Sequence, residues 1–289
     1  MRSKLFVPGC RPELFPKALA SQADGLSFDL EDAVPESGKA EARRLVGQAL
    51  QSPEFAASTK IMIVRVNGLT SSHFNADLAA VVGPNIDLLN LPKVESAGDV
   101  RIAAKALALL EAERGLTRPI GILANIESPR GLRFAAEIAS AHPRVAGLQL
   151  GFADLFEPLG IDRTDVAAVH QIQLAMRLAA GEAGIWACDA AYGAIKNPEG
   201  YRAEAVAARR LGYLGKTCIH PSQVALANEI FCPTEAEISF ARRVVEAAER
   251  AEQTGAGAFT VDGRMIDAPF IKRARAVIAI AGQSTTPAS

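Results

Sequence analysis

The sequence predicts an α/β protein: a closed (β/α)8 TIM barrel with a C-terminal helical or lid extension. Three observations predict it. Short apolar, β-rich runs alternate with Ala-rich stretches of helical period. There are eight such runs, the number that closes a barrel. No G-x-G-x-x-G follows the first run, as a doubly wound dinucleotide-binding sheet would require.

The expected strands are 4–8, 25–30, 61–67, 88–93, 120–126, 145–151, 186–192 and 216–221. Most are nearly continuous hydrophobic runs, as suits parallel strands covered on both faces. The clearest helices between them are 101–114 and 165–184, where Ala and Leu recur at spacings of three and four. A longer helix is expected at about 234–254. A Gly-rich hinge at 254–257 and a tail at 258–282 then fall outside the eight-fold pattern. The expected organisation is a barrel over residues 1–233 and an extension over 234–289, acting as a lid or packing on a neighbouring subunit.

Composition narrows the function. The chain is 49% hydrophobic and 22% charged, with a formal net charge of −1. It has no basic tail and no Lys/Arg cluster with interleaved aromatics, so nucleic acid is not an expected partner. No run approaches the length of a membrane span. Pro8, Gly9 and Arg11 interrupt the apolar start, so no secretory segment is expected. Cys10, Cys188, Cys218 and Cys232 have no zinc-site spacing and read as free thiols. Together these point to a soluble cytoplasmic protein.

In this fold the chemistry sits at the C-terminal ends of the strands. Those ends are rich in polar residues here: Asp29, Glu31 and Asp32 after the second, Arg65 after the third, Lys93 and Glu95 after the fourth. Glu127 follows the fifth, Asp154 the sixth, Asp189 lies on the seventh and His220 ends the eighth. Glu127 and Asp154 follow neighbouring strands and can reach one point. Two hard oxygen ligands with room for water and substrate suit Mg²⁺; the alternative is that each caps the helix after it. Arg65 ends an apolar strand and should face a carboxylate, a phosphate or a developing oxyanion. Its alternative is an ion pair with the Asp29–Asp32 cluster, of which at least one member is expected to hold Arg65 or a lysine, or to contact metal-bound water. Lys93 is the candidate for a Schiff base, but Glu95 nearby would keep it charged. His73, His142 and His170 read as structural.

Eight segments in order carry a resemblance: Arg2-Ser-Lys-Leu-Phe-Val-Pro-Gly9, Phe28-Asp-Leu-Glu-Asp-Ala-Val34, Val64-Arg-Val-Asn-Gly68, Leu91-Pro-Lys93, Ile126-Glu-Ser128, Gly151-Phe-Ala-Asp-Leu155, Gly215-Lys-Thr-Cys-Ile-His-Pro221 and Met265-Ile-Asp267. The chain resembles the citrate lyase β-subunit-like family, which includes citramalyl-CoA and malyl-CoA lyases. The resemblance implies Mg²⁺ on Glu127 and Asp154, substrate contact from Arg65, and Asp267 as the acid/base group, with Asp262 as a nearby rival. It implies substrate contacts from Phe6, Lys17, Ile219 and His220. It also implies a homotrimer, or a dimer of trimers, in which the tail reaches a neighbour's active site. Glu13 stands where some members carry a second lysine. The implied activity is cleavage of a 3-hydroxyacyl-CoA, first (S)-citramalyl-CoA to acetyl-CoA and pyruvate. Malyl-CoA, or a citryl thioester in a citrate lyase complex, comes next. An aldolase acting on free 2-oxo acid adducts would need no CoA contacts. A silent barrel subunit is the non-enzymatic alternative, and the intact Arg65, Glu127, Asp154 and Asp267 argue against it.

Overall fold

The computed structural model describes residues 1–254 and 257–284. The chain divides into two compact units, Met1–Asn228 and the residues from Glu229 onward. In the first, eight parallel strands close into a barrel in sequence order. They are β1 (Ser3–Pro8), β2 (Gly25–Asp29), β3 (Ile61–Arg65), β4 (Leu88–Leu91), β5 (Gly121–Ile126), β6 (Val145–Leu150), β7 (Trp186–Asp189) and β8 (Gly215–Cys218). All eight expected strands form, but six end one to three residues earlier than their apolar runs suggest. The surplus residues become the loops that carry the polar side chains.

Successive side chains on each strand face the helices and the barrel interior in turn. Phe28 faces outward, packing on Phe15 and Phe55 with ring centroids 5.0 and 5.6 Å away. Its neighbours Ser27 and Asp29 therefore face inward. The register Asp29↔Arg65↔Asn90 carries the inward face across β2, β3 and β4. Asn125↔Gln149↔Cys188 carries it across β5, β6 and β7.

The interior is unusually polar. Barrel layers are mostly filled by branched apolar side chains, yet the even strands here supply Ser27, Asn90, Gln149 and Thr217, all buried. Lys4 on β1 is fully buried beside them. Its Nζ lies 3.5 Å from Ser27 Oγ and 4.0 Å from the Phe6 ring centroid. Burial pushes the Lys4 ammonium down to about 7, against the opposing pull of Cys188 and Asp29. The folded state then binds fewer protons than the unfolded one between about pH 7 and the usual lysine value. Stability rises with pH across that window and is lowest below it. Lys4→Met is therefore expected to raise Tm by several degrees at pH 6, with the gain shrinking towards pH 10. Thermal unfolding followed across pH checks this.

The helices cover the barrel. Ala97–Glu113 begins with a capping box between Ser96 and Asp99. Val166–Glu182 begins at Asp165, whose side chain accepts from the N–H groups of Ala167 and Ala168. Asp189, expected at the barrel mouth, faces this layer instead. It accepts from Gln173 Nε2 at 2.9 Å and from Lys216 Nζ at 2.6 Å. The strand ends at Asp189 itself, so the alternation aims it outward, opposite to Cys188.

The second unit has helix Glu235–Thr254, an antiparallel hairpin of β9 (Phe259–Val261) and β10 (Arg264–Ile266), and helix Ala268–Ser284. Ala241, Val244, Val261, Ile266 and Ala274 form its core. The hairpin turns on Asp262 and Gly263, with φ of 50° and 76°. Both central residues have positive φ, as a two-residue type I′ turn requires. Residues 255–256 of the expected hinge lie outside the described residues. Among those described, no helix is long and apolar enough to cross a membrane, and no disulfide forms.

Candidate active site

The C-terminal rim of the barrel gathers most of the charged residues expected there. Asp29 ends β2 and holds Arg65 in a fork: Nε donates to Oδ1 at 2.7 Å and Nη2 to Oδ2 at 2.6 Å. The same carboxylate accepts the N–H groups of Glu31 and Ala33, each at 3.0 Å. Burial would raise the Asp29 carboxyl, but Arg65 and these amides outweigh it and hold it below the usual range. Arg65 Nη1 also meets Glu31 at 2.9 Å and Asp32 at 3.1 Å. Arg65 thus takes the ion-pair arrangement weighed as its alternative. Three of its N–H groups donate to the Asp29 and Asp32 carboxylates, and Glu31 adds an ion pair.

Lys93 is the second cation of the rim. Its Nζ lies 2.9 Å from Glu31, 3.6 Å from Asp32 and 3.8 Å from Asp154. These carboxylates, foremost the Glu31 hydrogen bond, outweigh burial and hold the ammonium well above its ordinary value. The ammonium is thus favoured over a nucleophilic amine, by Glu31 and not by Glu95 as expected. Glu95 instead accepts from Ser128 Oγ at 2.7 Å. The Lys93 backbone is left-handed, with φ of 51°, a conformation that is strained for a residue with a Cβ. The turn aims the Lys93 N–H at Glu127 Oε1, 2.7 Å away.

Glu127 is 3% exposed. It does not cap the next helix; Ser128 does, accepting from the Gly131 N–H at 3.0 Å. Burial first, then the Glu31 and Asp154 carboxylates, push the Glu127 carboxyl up to about 7. Its Oε2 has a 3.5 Å contact with Asn125 Nδ2. Asp154 lies in the first turn of the short helix Phe152–Phe156, with a half-exposed side chain. A buried carboxylate with a lightly used oxygen, beside a second reachable carboxylate, is a donor set for a hard divalent cation. Among the described residues no three or more His, Cys, Asp or Glu are grouped to hold a metal. Water and substrate oxygens would supply the other ligands.

Gly151, the N-cap of the Asp154 helix, makes this pair possible. A Cβ there would lie against Glu127 Oε2 and 2.6 Å from Glu127 Cβ. Gly151→Ala is expected to displace Glu127 and weaken divalent-ion binding about 10–100-fold with little change in helix content, as metal titration and circular dichroism will reveal.

The remaining expected contacts vary. The Phe6 ring stands between Lys4 Nζ and Arg65 Cζ, the latter 4.9 Å from its centroid. Lys17 is exposed on helix Phe15–Leu19. β8 stops at Cys218, so His220 lies beyond the strand; it is exposed and its Nδ1 pairs with Ser222 Oγ at 2.8 Å. Ile219 is half-buried, its N–H donating to Gln223. Glu13 pairs with Arg11. In the second unit, Asp262 is a turn residue tied to Arg243 at 2.7 Å. Asp267 precedes helix Ala268–Ser284, its backbone oxygen accepting from Ile271 and its Oδ1 buried without a hydrogen-bond partner among the described residues.

A (β/α)8 barrel with charged side chains gathered at its C-terminal rim has the architecture of a barrel enzyme. The chain belongs to the HpcH/HpaI aldolase/citrate lyase family, a family of carbon–carbon lyases, whose sequence model matches residues 2–221. It is 40% identical over 282 residues to the citrate lyase β subunit of Escherichia coli K12, covering 96% of this chain and 92% of that one. It is 34% identical over 298 residues to an L-malyl-CoA/β-methylmalyl-CoA lyase of Cereibacter sphaeroides, covering 96% and 93%. Among solved structures it resembles Mycobacterium tuberculosis CitE in complex with magnesium, acetoacetate and coenzyme A. The TM-score there is 0.76 at 33% identity, with 98% of this chain and 100% of that one covered. A citrate lyase β subunit from the same organism, complexed with oxaloacetate and magnesium, matches at a TM-score of 0.66 and 32% identity, covering 80% and 97%.

Proposed function

We propose that the chain is a Mg²⁺-dependent lyase that cleaves a short 3-hydroxyacyl-CoA to acetyl-CoA and a 2-oxo acid. The observation that carries this is the buried Glu127 carboxylate beside Asp154, in a family whose solved relatives include magnesium complexes. Glu127 and Asp154 would hold the ion, which supplies a template and a Lewis acid for the substrate carboxylate and hydroxyl oxygens. Asp267, reaching over from a neighbouring subunit, takes the hydroxyl proton. The C–C bond then breaks as the alkoxide collapses to a ketone, and the electron pair passes to the thioester as an enolate. Arg65 holds the enolate oxygen. Phe6, Lys17, Ile219 and His220 contact the CoA-bearing end. Protonation of the enolate carbon releases acetyl-CoA.

(S)-Citramalyl-CoA, giving pyruvate, is the first substrate to test. Malyl-CoA lacks one methyl, a difference of about 1–3 kcal/mol in a pocket, and the L-malyl-CoA/β-methylmalyl-CoA lyase relative favours it as the second. Purified protein with Mg²⁺ and a panel of hydroxyacyl-CoAs separates them by kcat/KM. Cleavage without added subunits supports the reading. Turnover only of a citryl thioester on a carrier protein would make the chain a citrate lyase β subunit, and no turnover of any thioester would sink both.

Metal binding should depend on pH. A Glu127 carboxyl raised to about 7 holds its proton below that pH, and the ion must displace it. Affinity for Mg²⁺ is expected to fall about tenfold per pH unit below 7 and to level off above it. Calorimetry in buffers of different ionisation enthalpy will reveal the proton released.

A further inference from the structure

Asp154 stands on a helix of five residues, Phe152–Phe156. A single turn has no stability of its own, so something else must fix the direction of that carboxylate. Phe152, two residues before Asp154, is buried and packs edge-on against Phe156 with centroids 4.9 Å apart. The guanidinium of Arg163 lies over the Phe152 ring, 4.1 Å from its centroid.

Arg163 is itself tied to the barrel wall. Its Nη2 donates to Glu204 Oε2 at 2.9 Å, on helix Pro198–Arg210. The same oxygen takes Lys216 Nζ from β8 at 3.0 Å. Lys216 is completely buried and also donates to Asp189 at 2.6 Å and to the Ala190 carbonyl at 2.9 Å. Two carboxylates thus balance two cations in a chain running from β7 and β8 to the Phe152 ring. Buried ion pairs of this kind add little stability over apolar side chains of equal volume. Arg163 also leaves Nη1 buried with no hydrogen-bond partner among the described residues, a further cost to stability. What the chain achieves is orientation: it presses a flat cation onto the one aromatic ring of the Asp154 helix that faces it.

We propose that Arg163 is a positioning residue for Asp154, setting through Phe152 the angle at which that carboxylate meets the divalent ion. This rests on the reading of Glu127 and Asp154 as the metal ligands. Arg163 touches no reacting atom, so its effect falls on ion affinity and not on the chemical step once the ion is bound.

The test is a Mn²⁺ titration of the full chain followed by electron paramagnetic resonance, with kinetics alongside. Arg163→Met and Phe152→Leu are expected to raise the Mn²⁺ dissociation constant about 10–100-fold. At saturating metal, kcat and the substrate KM should return to within about twofold of wild type. Arg163→Lys keeps a cation for Glu204 but loses the flat stack, so it should fall between wild type and Arg163→Met. If Arg163→Met does not fold, Arg163→Lys and Phe152→Leu carry the test. Variants that lose Tm while binding Mn²⁺ as wild type does would make Arg163 merely structural and overturn the proposal. Glu127→Ala separates the two levels. If it binds Mn²⁺ as tightly as wild type, the ligand reading fails and takes this proposal with it; if it loses the ion while Arg163→Met and Phe152→Leu keep it, only the role of Arg163 fails.

Discussion

Glu127→Ala and Asp154→Ala are each expected to give a folded barrel with no metal-dependent turnover at any practical Mg²⁺ concentration. The two carboxylates are the only protein groups proposed to hold the ion, so removing either halves the donor set. Loss of at least about 10³-fold in kcat/KM follows, since an ion of this kind contributes several kcal/mol to charge stabilisation. Folding should survive for different reasons at the two positions. Asp154 is half-exposed. Glu127 is a buried carboxylate whose pKa is already raised, so its removal relieves repulsion from Glu31 and Asp154. Circular dichroism with a magnesium titration of activity is the measurement. Near-full activity at low Mg²⁺ in either variant would rule out the assignment.

Asp267→Asn is the second large effect, expected at about 10²–10⁴-fold in kcat, the usual share of a general base, with ion binding unchanged. Asp262→Asn should cost little, because Asp262 is committed to the hairpin turn and to Arg243. Mixing gives a sharper reading. If one subunit's barrel works with another's tail, Glu127→Ala and Asp267→Asn subunits complement each other. Random mixing places an intact barrel against an intact tail in about a quarter of the sites of a ring. Recovery towards a quarter of wild-type activity, from two nearly inactive proteins, supports a shared site. No recovery after proven subunit exchange places Asp267 on its own barrel or outside the chemistry.

The barrel could be read from the sequence because parallel strands buried on both faces leave long apolar runs. The rim could be read because carboxylates directly after such runs are rare without a purpose. What the sequence hid was direction. Asp189 and Asp29 look alike after their strands, yet Asp29 faces the rim and Asp189 the helices, and one residue of register decides between them. Lys93 was paired with its neighbour in sequence, Glu95, whereas a left-handed turn sends it to Glu31. Lys4 is a lone lysine in an apolar run, and such a run gives no sign that its lysine is buried. The hairpin in the tail is not part of the expected helical or lid extension, although Asp262-Gly263 between β-prone residues carries a short-range turn signal.

The rim has an arithmetic of its own. Asp29, Glu31, Asp32, Glu127 and Asp154 stand against Arg65 and Lys93. Carboxylates outnumber cations, a surplus that one divalent ion reduces. An acid arriving first meets repulsion from that surplus; one arriving after the ion meets less of it. Charge thereby favours the cation ahead of the acid, and an initial-rate study is expected to find that order.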